Sequence, residues 1–239
     1  MTTHHPGRNA PRWRRRDALL LPGAVALGGA PLAGAAAQDA AVDLLLVLAI
    51  DASGSIDADE FRLQREGCAE ALSHPAVLSA VASRPLGAIG VALVEWGAPG
   101  GAATVVDWHQ LDGAAAAERL GRAVVEAPRS RQSYNAIGDA VDHSARLIAA
   151  APWRAREKVI DVSGDAPDMR GLRPVEAARR DAAAQGITVN ALAIETGRMA
   201  LREVYEATVI AGDGAFVMTA EARGDFARAL RAKLVREIA

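Results

Sequence analysis

The sequence predicts a three-layer α/β domain, Rossmann-like, with a mostly parallel central sheet, an antiparallel edge strand and helices on both faces. Three observations lead there. Residues 44–50, 89–95 and 187–194 are nearly continuous apolar runs of strand length, as expected of strands covered on both faces. Segments with helical apolar periodicity separate the strands, so the two element types alternate along the chain. A short run at 104–108 follows the turn Gly97-Ala98-Pro99-Gly100-Gly101 and reads as the edge strand.

Taken in order, residues 42–50 form the first strand. Asp57 and Glu60 then stand three apart, as an N-cap and its reciprocal partner do, before a helix whose face carries Phe61, Cys68 and Leu72. His74-Pro75 ends that helix. The second strand and the edge strand follow, then a helix over 111–126 stopped by Pro128. Ile137, Val141, Ala145 and Ile148 mark an amphipathic helix with Asn135 as its expected N-cap. Residues 158–163 form the next strand, 175–185 a helix closed by Gly186, and 187–194 another strand. A short helix near 201–207, a strand at 215–218 and a docked terminal helix carrying Phe226, Leu230, Leu234 and Ile238 complete the chain.

Composition narrows the function. The 239 residues hold 27 Lys+Arg and 29 Asp+Glu, a formal charge of -2, with 51% hydrophobic residues. That hydrophobic share argues against disorder. Residues 1–37 carry five arginines and one acid, Asp17; without them the body of 202 residues has 22 bases against 28 acids. An acidic body with no basic block gives no reason to expect nucleic acid as a partner. Its size suits one domain, 38–239. Cys68 is the single cysteine, which excludes an intrachain disulfide and a cysteine-based metal cluster.

Residues 1–37 have the parts of an export signal: Arg14-Arg15-Arg16-Asp17, a weakly apolar stretch, and Ala35-Ala36-Ala37 as a small-x-small end. Arg15-Arg16-Asp17-Ala18-Leu19 resembles a twin-arginine signal, with Ala18 where a bulkier residue is commoner. Pro22, Gly23, Gly28, Gly29, Pro31 and Gly34 make the stretch a poor permanent membrane helix. The expectation is an exported protein, periplasmic or secreted, with no stable membrane span once the signal is cleaved.

In such sheets ligands bind beyond the carboxyl ends of strands, where the connection direction reverses. Three segments there carry chemistry. Asp51-Ala52-Ser53-Gly54-Ser55 supplies a carboxylate and two hydroxyls directly after the most apolar strand. Ser133-Tyr134-Asn135 offers neutral oxygens before a helix, and Asp165 adds a second carboxylate after a later strand. These are oxygen donors of the kind hard cations require, and so low a ligand charge leaves Mg²⁺ with waters and an open position. Glu95, Ser133 and Asp168 are the expected supporting positions. Other chemistries lack their patterns: no Gly-x-x-x-x-Gly-Lys, no Gly-x-Gly-x-x-Gly after a strand, and no nucleophile-elbow setting for Ser53. His74, His109 and His143 are widely separated, with His143 expected to be solvated on the polar side of its helix; Asp161, inside a strand, is expected to be paired, an arginine being one candidate, with an edge-facing position the alternative.

Asp-x-Ser-x-Ser after the first strand resembles the metal-ion-dependent adhesion site of von Willebrand factor type A domains, and the element order over 42–239 is similar too. The resemblance implies Ser53 and Ser55 as direct ligands, and Asp51 and Asp165 as direct or water-bridged ones. The family's third-loop threonine falls on Asn135, and its usual Asp-Gly is here Asp165-Ala166. More closely, Val-Glu-Trp at 94–96, Ile-Asp-Val-Ser-Gly-Asp at 160–165, Gly-Ile-Thr-Val-Asn at 186–190 and Lys-Leu-Val-Arg-Glu-Ile at 233–238 resemble a family of exported bacterial type A-like proteins with no assigned activity. The implied function is a non-enzymatic module holding a divalent cation (Mg²⁺ first, Mn²⁺ or Ca²⁺ as alternatives), with a protein partner's acidic side chain filling the open position. Two alternatives stand beside it: a metal-dependent hydrolase using Asp51 and Asp165, which lacks an evident general base, and a scaffold with a vestigial site.

Overall fold

Eight successive buried residues, Leu44–Asp51, form strand β1 at the centre of a six-stranded sheet. The computed structural model of the chain describes residues 40–195 and 200–239; the expected export signal lies outside them. The other strands are β2 (Ile89–Trp96), β3 (Ala103–Leu111), β4 (Glu157–Gly164), β5 (Thr188–Ile194) and β6 (Val217–Ala220), in the order β3-β2-β1-β4-β5-β6. Every neighbouring pair is parallel except β2–β3, so the sheet is mostly parallel with one antiparallel edge strand, as the sequence predicts.

Helices cover both faces, which is why the central strands are apolar throughout rather than alternating. The helices are α1 (Ala58–Ser73), α2 (Pro75–Ala82), α3 (Ala114–Glu126), α4 (Ile137–Ala149), α5 (Val175–Ala184), α6 (Leu201–Thr208) and α7 (Phe226–Ile238). Leu44, Leu46, Leu48 and Ile50 face a core built with Cys68, Leu72, Leu120, Phe226 and Leu234, from α1, α3 and α7. Leu45, Val47 and Ala49 face the opposite core with Ile137, Val141, Val175 and Tyr205, from α4, α5 and α6. Among the described residues, no helix is long and apolar enough to cross a membrane.

The strand order fixes where a ligand belongs. From β1 the chain winds outward to β2 and β3, and later winds the other way through β4, β5 and β6. The direction therefore reverses between β1 and β4, and the crevice at their carboxyl ends is the topological switch point. Asp51 closes β1 and Asp165 stands one residue past β4.

The structure corrects several sequence expectations. His74-Pro75 ends α1 but also starts α2: His74 Nδ1 accepts from Ala76 N at 3.1 Å, and Pro75 occupies the first turn, where a missing N–H costs nothing. Leu111 belongs to β3, paired with Ile89, so α3 begins three residues later than expected. β6 starts at Val217 because left-handed Gly212 and Gly214 occupy the turn before it, and Phe216 N donates to the Asn190 side chain. Asn135 is not the N-cap of α4; Ala136 is, and its side chain caps nothing. Asp161 is paired, as expected, and its partner is Lys233 at 2.7 Å rather than the arginine considered. His143, expected to be solvated, is half-buried, with Nε2 2.8 Å from Thr104 Oγ1.

Candidate metal centre

The first loop is shaped by its own aspartate. Asp51 is buried at the end of β1, and its Oδ1 accepts from Ser53 N at 2.7 Å, which turns the chain back and brings the Ser53 and Ser55 hydroxyls to 3.1 Å from each other. Arg129 holds the outside of this turn, with Nη2 donating to the carbonyls of Ala52, Ser53 and Ile56 at 3.2, 3.4 and 2.8 Å. The same guanidinium lies over the Phe61 ring, 4.5 Å from its centre.

The second loop is pressed against the first. Gly54 N donates to Ser133 O at 3.0 Å, and Ala136 N to Gly97 O at 3.1 Å. Gly97 is needed there: a Cβ would lie 2.8 Å from Tyr134 O and 3.1 Å from the Ser53 Cα. Beneath the loop Glu95 is fully buried; Oε1 takes Arg65 Nη2 at 2.7 Å and Oε2 takes Ser130 N at 2.7 Å. Glu95 thus pins the segment leading to Ser133 and Asn135 from below, three residues before the expected donors begin.

Asn135 is buried with an instructive division of its amide. Nδ2 is spent on Met169 Sδ at 3.6 Å, whereas Oδ1 is buried without a hydrogen-bond partner. The other unpartnered acceptor in these loops is Asp51 Oδ2. Buried acceptors are almost always paired, and leaving one bare costs about 1–3 kcal/mol. Two such oxygens, one anionic and one neutral, beside a pair of serine hydroxyls are the donors that a small hard cation takes. The residues present fit the ion.

The third loop brings Asp165 beside Asp51. Burial raises the Asp51 pKa to about 7, opposed by the Ser53 hydrogen bonds and reinforced by the charge of Asp165. Asp165 is also raised, by burial first. A pair of carboxylates this placed wants either a proton or a cation. Asp165 already has one cationic neighbour: Arg223 Nη2 is 2.5 Å from its Oδ2, and Arg223 also pairs with Glu60.

Of the expected positions, the structure thus brings Asp51, Ser53, Ser55 and Asp165 to one sheet edge, with the Asn135 loop alongside. Ser133 is exposed and contributes its backbone carbonyl to the loop contact. Asp168 turns toward α4, its Oδ1 accepting from Ile137 N at 2.7 Å and Gly138 N at 3.4 Å, so it supplies the cap that Asn135 does not. Sequence reasoning missed Arg129, Arg223, Tyr205 and Asp139. The Tyr205 hydroxyl donates to Ala166 O at 2.8 Å, and burial, then the nearby Asp51, Asp165 and Asp168 charges, keep it protonated. Asp139 accepts from Gly100 N, Leu172 N and Arg173 N, tying two loops to α4. Arg223 and Asp165 are 58 residues apart, a pairing that no local pattern encodes. Among the described residues, no group of three His, Cys, Asp or Glu side chains could hold a metal, so any centre here rests on two carboxylates and neutral oxygens.

The sheet order and this crevice define a von Willebrand factor type A-like fold. The chain belongs to the family described as "Protein of unknown function (DUF1194)", whose profile matches residues 41–239. Curated proteins give no match. Among solved structures, the proximal thread matrix protein 1 of the mussel byssus with a zinc-occupied MIDAS motif is similar at 17% identity and TM-score 0.59, over 84% of this chain and 47% of that one. A von Willebrand factor type A protein from Catenulispora acidiphila matches at 19% identity and TM-score 0.57, over 82% and 43%. The von Willebrand factor domain of the type V pili tip protein Mfa5 from Porphyromonas gingivalis matches at 11% and 0.55, over 81% and 94%. The chain spans less than half the length of the first two. At these identities the likeness is one of fold.

Proposed function

We propose that this chain is an exported type A-like module, non-enzymatic, that binds a divalent cation at the carboxyl edge of its sheet and through it a protein partner. Asp51, Ser53, Ser55, Asn135 and Asp165 would hold the ion, Mg²⁺ first by the all-oxygen donor set, with Mn²⁺ or Ca²⁺ as alternatives. The observation that carries the reading is the pair of buried, unpartnered acceptors, Asp51 Oδ2 and Asn135 Oδ1. When bound, the cation supplies an open coordination position that an acidic side chain of the partner can fill. The chain's part is to keep its donors fixed: Arg129 and Glu95 clamp the two loops, and the Ser53 N–H orients the Asp51 carboxylate. The zinc-occupied motif in the byssus protein and the pilus-tip setting of Mfa5 support the reading by analogy of fold. The segment 1–37 supports export, to the periplasm or beyond.

One contact favours a second reading. Arg223 already meets Asp165, so a scaffold whose site is closed by its own ion pair is the alternative. Partner capture from exported-protein extract decides between them. The proposal expects capture that EDTA abolishes and that Asp51→Ala loses while remaining folded; capture unchanged in excess EDTA sinks it.

A further inference from the structure

We propose that the loops bordering the candidate centre form an apolar, cationic rim. It selects an extended partner segment in which an acidic residue has a bulky apolar residue within two positions. The acidic residue rests on the function proposed above; the apolar neighbour is new.

Six large hydrophobic side chains are exposed among the described residues, and three of them, Tyr134, Met169 and Leu172, come from the two loops next to Asp51 and Asp165. Leu172 at 79% and Met169 at 67% are the most exposed of the six. Single exposed apolar residues need no explanation, but a cluster beside a polar crevice marks a contact surface. Tyr134 and Met169 are connected: Asn135, next to Tyr134, reaches Met169 Sδ, and Arg170 lies over the Tyr134 ring, 5.1 Å from its centre; Leu172 follows on the same loop and lies over Gly100.

The backbone beneath them is held firmly. Met169 N and Arg170 N both donate to Asn135 O, at 2.8 and 3.3 Å. Leu172 N and Arg173 N donate to the buried Asp139 carboxylate at 2.9 and 3.1 Å, and Gly100 N donates to the same group at 2.7 Å. A loop so anchored cannot fold its apolar side chains inward, so it presents them to water in a fixed arrangement. Preorganised apolar groups of this kind lower the ordering cost of binding.

Charge decides the occupant. Asp165 is engaged by Arg223, and Asp168 by the first N–H groups of α4. Arg131 and Arg170 are exposed on the same two loops. The rim therefore offers cationic and apolar surface above the crevice, which fits an acidic-apolar segment and disfavours a basic one.

The test is a displayed random heptapeptide library panned on the immobilised full chain in Mg²⁺ and eluted with EDTA. A second arm uses Leu172→Ser, which touches none of the proposed ion-holding residues and whose exposed position leaves thermal unfolding unchanged. The expected wild-type eluate is enriched in Asp or Glu with a bulky apolar residue within two positions. In the variant the acid enrichment stays, the apolar enrichment goes, and a wild-type-selected peptide binds roughly tenfold more weakly or worse. Acid enrichment without apolar neighbours, or apolar preference undiminished in the variant, overturns this proposal alone. An EDTA eluate with no acid enrichment overturns the cation-bridged reading and this proposal together.

Discussion

Replacing Lys233 by methionine should unfold this domain more readily than any surface change, and in a pH-dependent way. The Lys233 ammonium is fully buried under α7, 2.7 Å from Asp161 Oδ1 on β4 and paired as well with Glu237 on its own helix. Asn190 on β5 donates Nδ2 to Glu237 Oε1 at 2.8 Å. Two carboxylates thus share one cation inside the protein. Removing that cation leaves them uncompensated, a loss of about 3–5 kcal/mol. For a domain of this size each kcal/mol is about 2–4 °C, so the midpoint should fall by roughly 6–20 °C. The pH dependence has a definite sign. Burial raises the Glu237 pKa from 4.5 to about 7, the Asp161 charge adds to it, and Lys233 and Asn190 oppose it. A raised acid contributes stability that is complete below its unfolded value and disappears as the pH climbs through the folded value. Without Lys233 the folded value climbs further, so the variant's deficit should be small at pH 5 and full at pH 8. Calorimetric or urea unfolding at both pH values measures it. A loss under about 1 kcal/mol at pH 8, or equal losses at both, refutes the reasoning. The neutral triple variant Asp161→Asn/Lys233→Met/Glu237→Gln should recover most of the stability, because no buried charge is left.

Other outcomes follow from the loops. Arg223→Ala should tighten divalent-cation binding, roughly tenfold, by removing a positive charge from Asp165; unchanged or weaker binding in titration would show that Arg223 supports the site instead. Gly138→Ala drives a Cβ into the Arg173 carbonyl at the start of α4 and should cost about 1–3 kcal/mol in urea unfolding, since backbone must move. Arg65→Met leaves Glu95 buried beneath the Ser130 segment; it should cost about 3–5 kcal/mol and weaken cation binding as well, read by unfolding and titration on one sample.

How much the sequence disclosed depended on whether the cause was local. The buried strands were legible because both faces of β1, β2 and β5 are covered, so their residues are apolar in succession. The Asp57–Glu60 capping box was legible because its two hydrogen bonds close within four residues. Asp51 and Asp165 could be singled out by position alone, since strand ends at a switch point are where ligands gather. What holds those loops was not legible. Arg223 meets Asp165 across 58 residues, Arg65 meets Glu95 across 30, and Arg129 reaches the Ile56 carbonyl across 73. Asn135 was placed as a cap because it precedes a helix, yet the capping oxygen comes from Asp168, 31 residues beyond Ile137, which leaves the amide oxygen free. The ending at 233–238 has a physical reason as well: it carries Lys233 and Glu237, two of the three buried ionic groups that fasten α7 to the sheet.

Whether Asp51 and its neighbours hold a divalent cation is decided by calorimetric titration of the chain with Mg²⁺, Mn²⁺ and Ca²⁺, wild type against Asp51→Ala. Saturable one-site binding is expected in the wild type and should vanish in a variant of unchanged fold. Absence of binding in the wild type, or the same isotherm in both proteins, would contradict it.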